Sequence, residues 1–208
     1  MPSKYSSNGH YYELNSFPSS FYVGIGENTT NQWQEATSIS SASYYRGLQG
    51  YLATITDSGE NDFVASVVGE DVAYLGASDA SSQGSFKWVT GPEAGLALSY
   101  SNWYPGEPSN SRFGTEPSLS AEDAITISND SKWLGRWWDS PAYYGEILGT
   151  NNRKFVTEYG GITPTYTVSS SADSVNEGGS LTFTIDTTNV EWGTSLAYSI
   201  SGMSTTDL

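Results

Sequence analysis

The residues of this chain that could do chemistry are carboxylates and amides. The sequence contains 23 Asp and Glu, no cysteine and a single histidine, His10. These counts exclude a thiol nucleophile, a disulfide framework and a Cys/His zinc site. A Ser-His-Asp triad would need His10, which lies in a polar stretch beside Tyr11 and Tyr12, so a surface histidine is the better interpretation. What remains is binding of a hard cation such as calcium, contact with sugar hydroxyls, or hydrolysis by two carboxylates.

The balance of charge limits the partners of the chain. Eight Lys and Arg against 23 Asp and Glu give a formal net charge of -15, whereas nucleic-acid backbones and anionic membranes attract a basic face. No apolar run of about 18 residues is present, so no transmembrane helix is expected. Residues 1–18 are polar and lack the apolar core of a signal peptide. We therefore expect neither nucleic-acid binding nor membrane insertion, and export would depend on a signal outside these residues.

Two helices are predicted ahead of a series of short strands. The pattern predicts a helix over about 32–45, which Asn31 can cap, and a second helix that begins after Asp57 or Ser58. From residue 73 onward, short apolar pieces are separated by Gly, Pro, Asn and Ser, as is typical of strands and turns. Two helices followed by short strands indicate an α+β domain rather than an alternating parallel sheet.

The clearest domain boundary is the Gly- and Pro-containing segment at 160–164. Only 45 residues follow from 164 to 208, too few for an independent sandwich. We therefore expect one domain over 1–160, then a linker and a truncated β-sandwich-like module over 161–208. Alternating residues predict three strands in this tail, at 166–169, 180–186 and 196–201.

The order of the motifs resembles that of the C-type lectin-like domain, in its cysteine-free bacterial form, over about residues 10–160. The pieces that carry the resemblance are WQEA at 33–36, GYLATI at 50–55, ENDF at 60–63, YLGA at 74–77, GSFKWVTG at 84–91, NW at 102–103, GEP at 106–108, EDA at 122–124, WWD at 137–139 and FVTEY at 155–159. The resemblance implies a fold with two helices, mostly antiparallel short strands and a long loop region. The segment SVNEGGSLTFTI at 174–185 looks like the start of a Calx-beta or immunoglobulin-like module.

The resemblance implies a combined calcium and sugar site on the long loop and the strand after it. The matching positions are Glu107, Ser109, Glu122, Trp138 and Asp139, and Asn110 beside Ser109 could partly substitute for a missing amide. Three of them are carboxylates, which calcium favours, and Pro108, which is typically cis in the family, holds its neighbours on one side of the loop. Ser109 and Trp138 stand where the family has amide ligands, so the Trp138 indole would stack on a pyranose instead. The alternative is a vestigial loop whose carboxylates are only solvated.

Two further calcium positions follow from the resemblance. The first maps to Asp79, Gln83, Asn110, Glu122 and Asp123, each of which carries a side-chain oxygen. The alternative there is that Asp79 only caps a turn, as aspartate often does. The second position pairs Glu60 on the second helix with Glu158 near the last strand. Because two carboxylates repel each other without a cation, the alternative is that they point apart.

These observations predict a recognition domain that binds a glycan through the loop at about 100–125 and the strand near Asp139. Calcium is the cofactor that the resemblance implies, and an extracellular protein, a cell surface or a virion surface is the implied location. No enzymatic activity is expected, although two of the carboxylates could in principle act as acid and base on a glycoside. The alternative partner is a protein, bound without calcium by an aromatic surface made of Trp137, Trp138, Tyr143 and Tyr144. The sequence leaves the oligomeric state open.

Overall fold

Both predicted helices form, and each begins at a side-chain cap. The computed structural model describes residues 1–18, 31–110, 121–142, 153–176 and 178–201. Helix α1 (Gln32–Ala42) begins where the Asn31 side chain accepts a hydrogen bond from Gln34 N at 2.8 Å. Helix α2 (Ser58–Val68) begins where Asp57 accepts one from Glu60 N at 2.9 Å. Such caps satisfy N–H groups that have no partner within the helix.

The first helix ends three residues earlier than predicted. It stops at Ala42, and Tyr44 and Tyr45 form a strand. The hydroxyl and the N–H of Ser43 both donate to the Ser40 carbonyl, at 2.6 and 3.1 Å. Serine competes with the helix in this way through local side-chain bonds, so the serine-rich end of the helix explains the difference.

The strands of the larger unit assemble into one sheet. In chain order they are β1 (Ser3–Lys4), β2 (Tyr11–Ser16), β3 (Tyr44–Tyr45), β4 (Leu48–Leu52), β5 (Ala73–Ser78), β6 (Lys87–Trp88), β7 (Ala124–Ser128), β8 (Arg136–Ser140) and β9 (Lys154–Tyr159). The hydrogen-bonded path through the sheet is β1-β2-β9-β5-β7-β8, with β4 paired to β9 and β6 to β5. All of these pairings are antiparallel except that of β5 with β9. Two helices and mostly short strands confirm the predicted α+β class.

The sheet places the N-terminal and C-terminal strands of the unit side by side. Tyr11 of β2 lies opposite Tyr159 of β9, and Ser16 lies opposite Lys154. At the other end of the path, β7 and β8 pair so that Ile125 lies opposite Asp139. This register brings the residues just before β7 close to the carboxyl end of β8, where the candidate site lies.

Tryptophans fill much of the core on the β8 side. Trp137 is fully buried and contacts the rings of Trp88, Tyr100 and Trp103, with centroids 5.7–6.2 Å apart in edge-on geometry. Its indole N–H donates to Asn61 Oδ1 on α2 at 2.7 Å. Edge-on aromatic pairs add to the stabilisation from area burial, and the hydrogen bond satisfies the buried donor.

The tail forms a separate two-stranded sheet. Strands β10 (Thr165–Ser170) and β11 (Phe183–Thr188) pair antiparallel, with Val168 opposite Ile185. The strand predicted at 196–201 is wrong, because a strand needs hydrogen bonds to a neighbour and these residues form no ladder. The chain divides into two compact units, one of Met1–Tyr45 with Gln49–Ile162 and one of Arg46–Leu48 with Thr163–Leu208. The domain limits 1–160 and 161–208 stay a prediction.

No helix in the described ranges has both the length and the hydrophobicity that a membrane span requires.

Candidate functional site

The loop that carries Glu107 is fixed to strand β8 through its backbone. Tyr104 N donates to the Trp137 carbonyl at 2.8 Å, and Glu107 N donates to the Tyr104 carbonyl at 2.9 Å. The Glu107–Pro108 peptide is cis, the form that the resemblance implies. These backbone hydrogen bonds position the Glu107 side chain next to Asp139 on β8. Of the long loop predicted over 100–125, residues 111–120 lie outside the described residues.

Ser109 is the centre around which the three predicted carboxylates meet. Its N–H donates to Asp139 Oδ1 at 3.0 Å and to Glu107 Oε2 at 3.1 Å. Its hydroxyl donates to Glu122 Oε2 at 2.9 Å. Asn110 N donates to the second Asp139 oxygen at 2.6 Å. The structure therefore brings together Glu107, Ser109, Asn110, Glu122 and Asp139.

The convergence of carboxylates changes the protonation of Glu107. Burial, the hydrogen bond with Asp139 and the negative charge of Asp139 together raise the pKa of Glu107 to about 7, while the Ser109 N–H opposes the change. A carboxyl with that pKa is about half protonated at neutral pH. Its proton allows Glu107 and Asp139 to lie within a direct hydrogen bond, where two carboxylates would repel each other.

Beside this cluster, two buried side-chain oxygens accept no hydrogen bond from any residue that the structure describes. Asp79 is fully buried; its Oδ2 accepts from Gly84 N at 2.7 Å, while its Oδ1 has no partner. Asn110 Oδ1 is also buried without a partner. Both side chains lie near Gly84, because Asp79 Oδ2 accepts from its N–H and Asn110 Nδ2 lies 3.9 Å from the position that a Cβ on Gly84 would take. Buried polar atoms are nearly always satisfied, so these two exceptions need an explanation.

Two other residues predicted for this position, Gln83 and Asp123, are linked to Asp79 by hydrogen bonds. Gln83 Nε2 donates to Asp123 Oδ1 at 2.5 Å, and Asp79 N donates to the Asp123 carbonyl at 3.3 Å. Burial raises the pKa of Asp79, and the charges of Asp123 and Asp139 add to that effect against the Gly84 N–H. A cation between Asp79 and Asn110 would supply the missing partner and offset this repulsion.

The chemistry of the donors fits calcium better at Asp79 and Asn110 than at Glu107 and Asp139. Both Asp139 oxygens already accept backbone N–H groups, the Ser109 hydroxyl is engaged with Glu122, and Trp138 offers no oxygen. In the part of the chain that the structure describes, no three Asp, Glu or His side chains form a ready metal cluster. A cation here would therefore also draw on amide and other neutral oxygens, which calcium accepts.

The third predicted pair converges on a tyrosine. The Tyr12 hydroxyl lies between the carboxylates, in hydrogen-bond contact with Glu60 Oε1 and 3.0 Å from Glu158 Oε1. Thr56 donates to Glu60 Oε2 and Thr54 to Glu158 Oε2, through N–H and hydroxyl in each case. The alternative in which the pair points apart is wrong. Protein donors reach all four oxygens, so the metal role of Glu60 and Glu158 stays a prediction.

His10 completes this second cluster, and its interpretation as a surface residue is wrong. Its Nδ1 lies 2.6 Å from Glu158 Oε1, and only 23% of its side chain is exposed. The hydrogen bond with Glu158 raises the pKa of His10, although burial opposes the rise. Burial also raises the pKa of Glu158, against the hydrogen bond and charge of His10.

The aromatic surface predicted as an alternative does not exist in that form. Trp137 is fully buried in the core. Successive side chains of a strand point to opposite faces, so Trp137 and Trp138 cannot share one surface. Tyr143 and Tyr144 lie outside the described residues. Trp138 is half-buried and stacks on Trp133, with ring centroids 4.3 Å apart and planes 27° apart. Trp133 is not among the residues predicted from the sequence, and its signal is its place in an Asp- and Gly-containing turn directly before β8.

The comparisons with curated proteins agree on one family. A family model described as "Lectin C-type domain" matches residues 40–134. The chain is 33% identical to halomucin of Haloquadratum walsbyi over 159 residues, which cover 74% of this chain and 2% of halomucin. It is 39% identical to the mannose-binding protein of Gallus gallus over 61 residues, which cover 29% of this chain and 19% of that protein. The chain thus spans a small part of the length of these relatives.

A solved structure shares the fold. The mouse scavenger receptor C-type lectin carbohydrate-recognition domain superposes with a TM-score of 0.52 at 17% identity, over 76% of this chain and 93% of that domain. Identity at this level shows the fold alone. The cysteine-free bacterial type and the Calx-beta or immunoglobulin-like nature of the tail stay predictions. Residues 40–134 of the chain thus match the C-type lectin domain, and the chain has the C-type lectin-like fold.

Proposed function

We propose that this chain binds carbohydrate with the help of a calcium ion held between Asp79 and Asn110. The observation that carries the proposal is the pair of buried oxygens, Asp79 Oδ1 and Asn110 Oδ1, that no donor in the described part of the chain reaches. Asn110 also belongs to the loop that presents Glu107 and Ser109. A cation bound to Asn110 would therefore order the loop that we propose for sugar recognition.

The sugar would lie against the Glu107 loop and Trp138. Carboxylates accept strong hydrogen bonds from sugar hydroxyls, and an indole packs on the apolar face of a pyranose. Support for a sugar ligand comes from the match to the lectin family model and from a relative named for mannose binding. The same proposal places the domain outside the cell or on a virion surface, because a calcium site with few charged ligands is weak and suits extracellular calcium.

The geometry favours binding over hydrolysis. Glycoside hydrolysis needs two carboxyl groups about 5–9.5 Å apart, with the glycosidic bond between them. Glu107 and Asp139 share a direct hydrogen bond. Their carboxyl groups are therefore too close together for a glycosidic bond to lie between them. We therefore propose a domain that recognises its ligand without chemical change.

The calcium part is tested by thermal unfolding with calcium and with chelator. At a calcium concentration of about 100 times Kd the folded state gains about 2.7 kcal/mol, which corresponds to a rise in Tm of roughly 5–11 °C for a chain of this size. Asp79→Asn should abolish this gain. It should not lower the Tm in chelator, since it removes a buried charge with one unpaired oxygen. Asp62→Asn, an exposed carboxylate on α2, is the matched control and should keep the gain.

The sugar part is tested on a glycan array. Trp138→Ala should abolish binding, and Glu107→Gln should weaken it, because a neutral amide oxygen accepts weaker hydrogen bonds than a carboxylate. An array without hits, together with a protein ligand whose binding survives chelation and Glu107→Gln, would contradict the proposal and favour the protein-binding alternative. An unchanged Tm in millimolar calcium would contradict the calcium site alone.

A further inference from the structure

Next to the candidate sugar site lies an aromatic and cationic ledge that the proposed function does not use in full. It consists of Tyr104, Lys132, Trp133, Arg136 and Trp138. The rings of Trp133 and Trp138 are stacked with centroids 4.3 Å apart, and Tyr104 meets Trp133 edge-on at 4.7 Å. All three aromatic side chains are only half-buried, so the domain keeps a cluster of rings in contact with solvent.

The backbone holds the ledge in a defined shape. Asp130 Oδ1 accepts the N–H groups of Lys132 and Trp133, at 2.8 and 3.0 Å. Arg136 N donates to the Trp133 carbonyl at 3.0 Å, and Leu134 adopts a positive φ of 53° between them. A turn fixed by side-chain and main-chain hydrogen bonds presents Trp133 at low entropic cost to a ligand.

The ledge also carries two cations in a strongly acidic chain. The Lys132 ammonium lies 4.3 Å from the centre of a Trp133 ring. Arg136 is exposed and lies two residues before Trp138 on β8, so both side chains leave the same face of the strand. Within the described ranges, neither Lys132 nor Arg136 takes part in a salt bridge. The ledge thus offers positive charge in a chain whose formal net charge is -15.

We propose that the ledge selects a pyranose that bears an anionic group, either a carboxylate or a sulfate ester. The inference rests on the proposed function and names the class of sugar. The rings would cover the apolar face of the pyranose, while the Arg136 guanidinium and the Lys132 ammonium would contact the anion, since a guanidinium matches both carboxylate and sulfate geometry. The hydrogen bonds of Tyr104 to Trp137 and Glu107 make the ledge continuous with the loop of the sugar site.

The test is a calorimetric titration of the whole chain, in calcium, with three oligosaccharides of equal length. One contains glucose, one contains glucuronate in its place, and one contains glucose with a sulfate ester. The wild-type chain should bind at least one anionic form about tenfold more tightly than the neutral form, as charge-assisted contacts predict. Raising the salt from 50 to 500 mM should reduce that preference, because exposed charges are screened. The two anionic arms distinguish carboxylate from sulfate.

Variants tie the preference to the ledge. Lys132→Gln combined with Arg136→Gln should bring the ratio of anionic to neutral affinity close to one, whereas Lys132→Arg should keep it. Lys87→Gln, an exposed lysine on β6, is the control and should change nothing. Equal affinity of the wild-type chain for neutral and anionic sugars, or a preference that survives the double substitution, would overturn this inference and leave sugar binding intact. Failure to bind any of the three sugars would overturn both proposals.

Discussion

His10 should make the stability of the lectin domain depend on pH above neutrality. It is the single histidine of the chain, and it pairs with the buried Glu158 at the junction of β2 and β9. Glu60 and Glu93 also add negative charge around it. Substitution of His10 by alanine would leave Glu158 with the neutral donors Tyr12 and Thr54 and a second carboxylate close by.

The expected cost follows from the burial of the pair. Removing one partner of a fully buried ion pair costs about 3–5 kcal/mol, and solvent screening reduces the value here because His10 is partly exposed. We expect His10→Ala to lower the free energy of unfolding by about 2 kcal/mol at pH 6. That loss corresponds to a decrease in Tm of roughly 4–8 °C.

The sign of the pH dependence follows from the direction of the pKa shift. The pKa of His10 is raised by its hydrogen bond to Glu158, so the folded state holds the proton more tightly than the unfolded state. The stabilisation is fully present below the unfolded pKa of about 6.5 and is lost as the pH rises through the higher folded value. The stability of the wild-type domain should therefore fall between pH 7 and pH 9, and that of His10→Ala should not.

Glu107 titrates with the same sign, over a pH range that ends near 7. A carboxyl whose folded pKa is raised favours the folded state when protonated, and Glu107 acts in this way from its unfolded value up to about pH 7. Glu107→Gln is therefore the matched control, because it should keep the decline between pH 7 and pH 9. The assay is urea unfolding followed by tryptophan fluorescence in chelator. A wild-type stability that is constant from pH 7 to 9, or an equal decline in His10→Ala, would refute the reasoning.

Two further substitutions test the contacts that support the site. Tyr12→Phe removes the hydroxyl between Glu60 and Glu158, and should lower the free energy of unfolding in urea by about 1–3 kcal/mol, whereas the exposed Tyr44→Phe should have no effect. Asn61→Leu removes the acceptor of the buried Trp137 N–H and a donor to the Gly135 carbonyl. It should cost about 1–3 kcal/mol in urea, and an unchanged midpoint would show that the Trp137 hydrogen bond contributes nothing.

Much of the fold follows from signals that are local in sequence. The caps at Asn31 and Asp57 predict where the helices begin, since a side-chain acceptor at the first N–H groups acts within three residues. The end of α1 and the missing strand at 196–201 were harder to predict. The helix end depends on the side-chain bond of Ser43, which competes with continuation of the helix. The strand depends on a neighbouring strand to pair with, and residues 196–201 form no such pairing.

Some features of the candidate site could likewise be predicted from the sequence, and others could not. The resemblance predicts the carboxylates Glu107, Glu122 and Asp139 as site residues, because this prediction needs only their residue types and positions in the sequence. The hydrogen bonds of Ser109 to these carboxylates could not be predicted, since they depend on where its N–H points after the chain has folded. For Trp137 and Trp138 the strand alternation could have shown that only one of two adjacent indoles faces solvent.

The hydrogen bonds of Asn110 link the cation position to the sugar position. Its N–H fixes one oxygen of Asp139, and its side-chain oxygen is one of the two that have no donor. A cation on that oxygen would restrict the backbone at Asn110, and Asp139 would then be held in place for sugar hydroxyls. By this route, calcium would strengthen sugar binding without touching the sugar itself. That mechanism differs from one in which metal and sugar meet directly, and it suits a chain in which the resemblance aligns Trp138 with an amide ligand of the family.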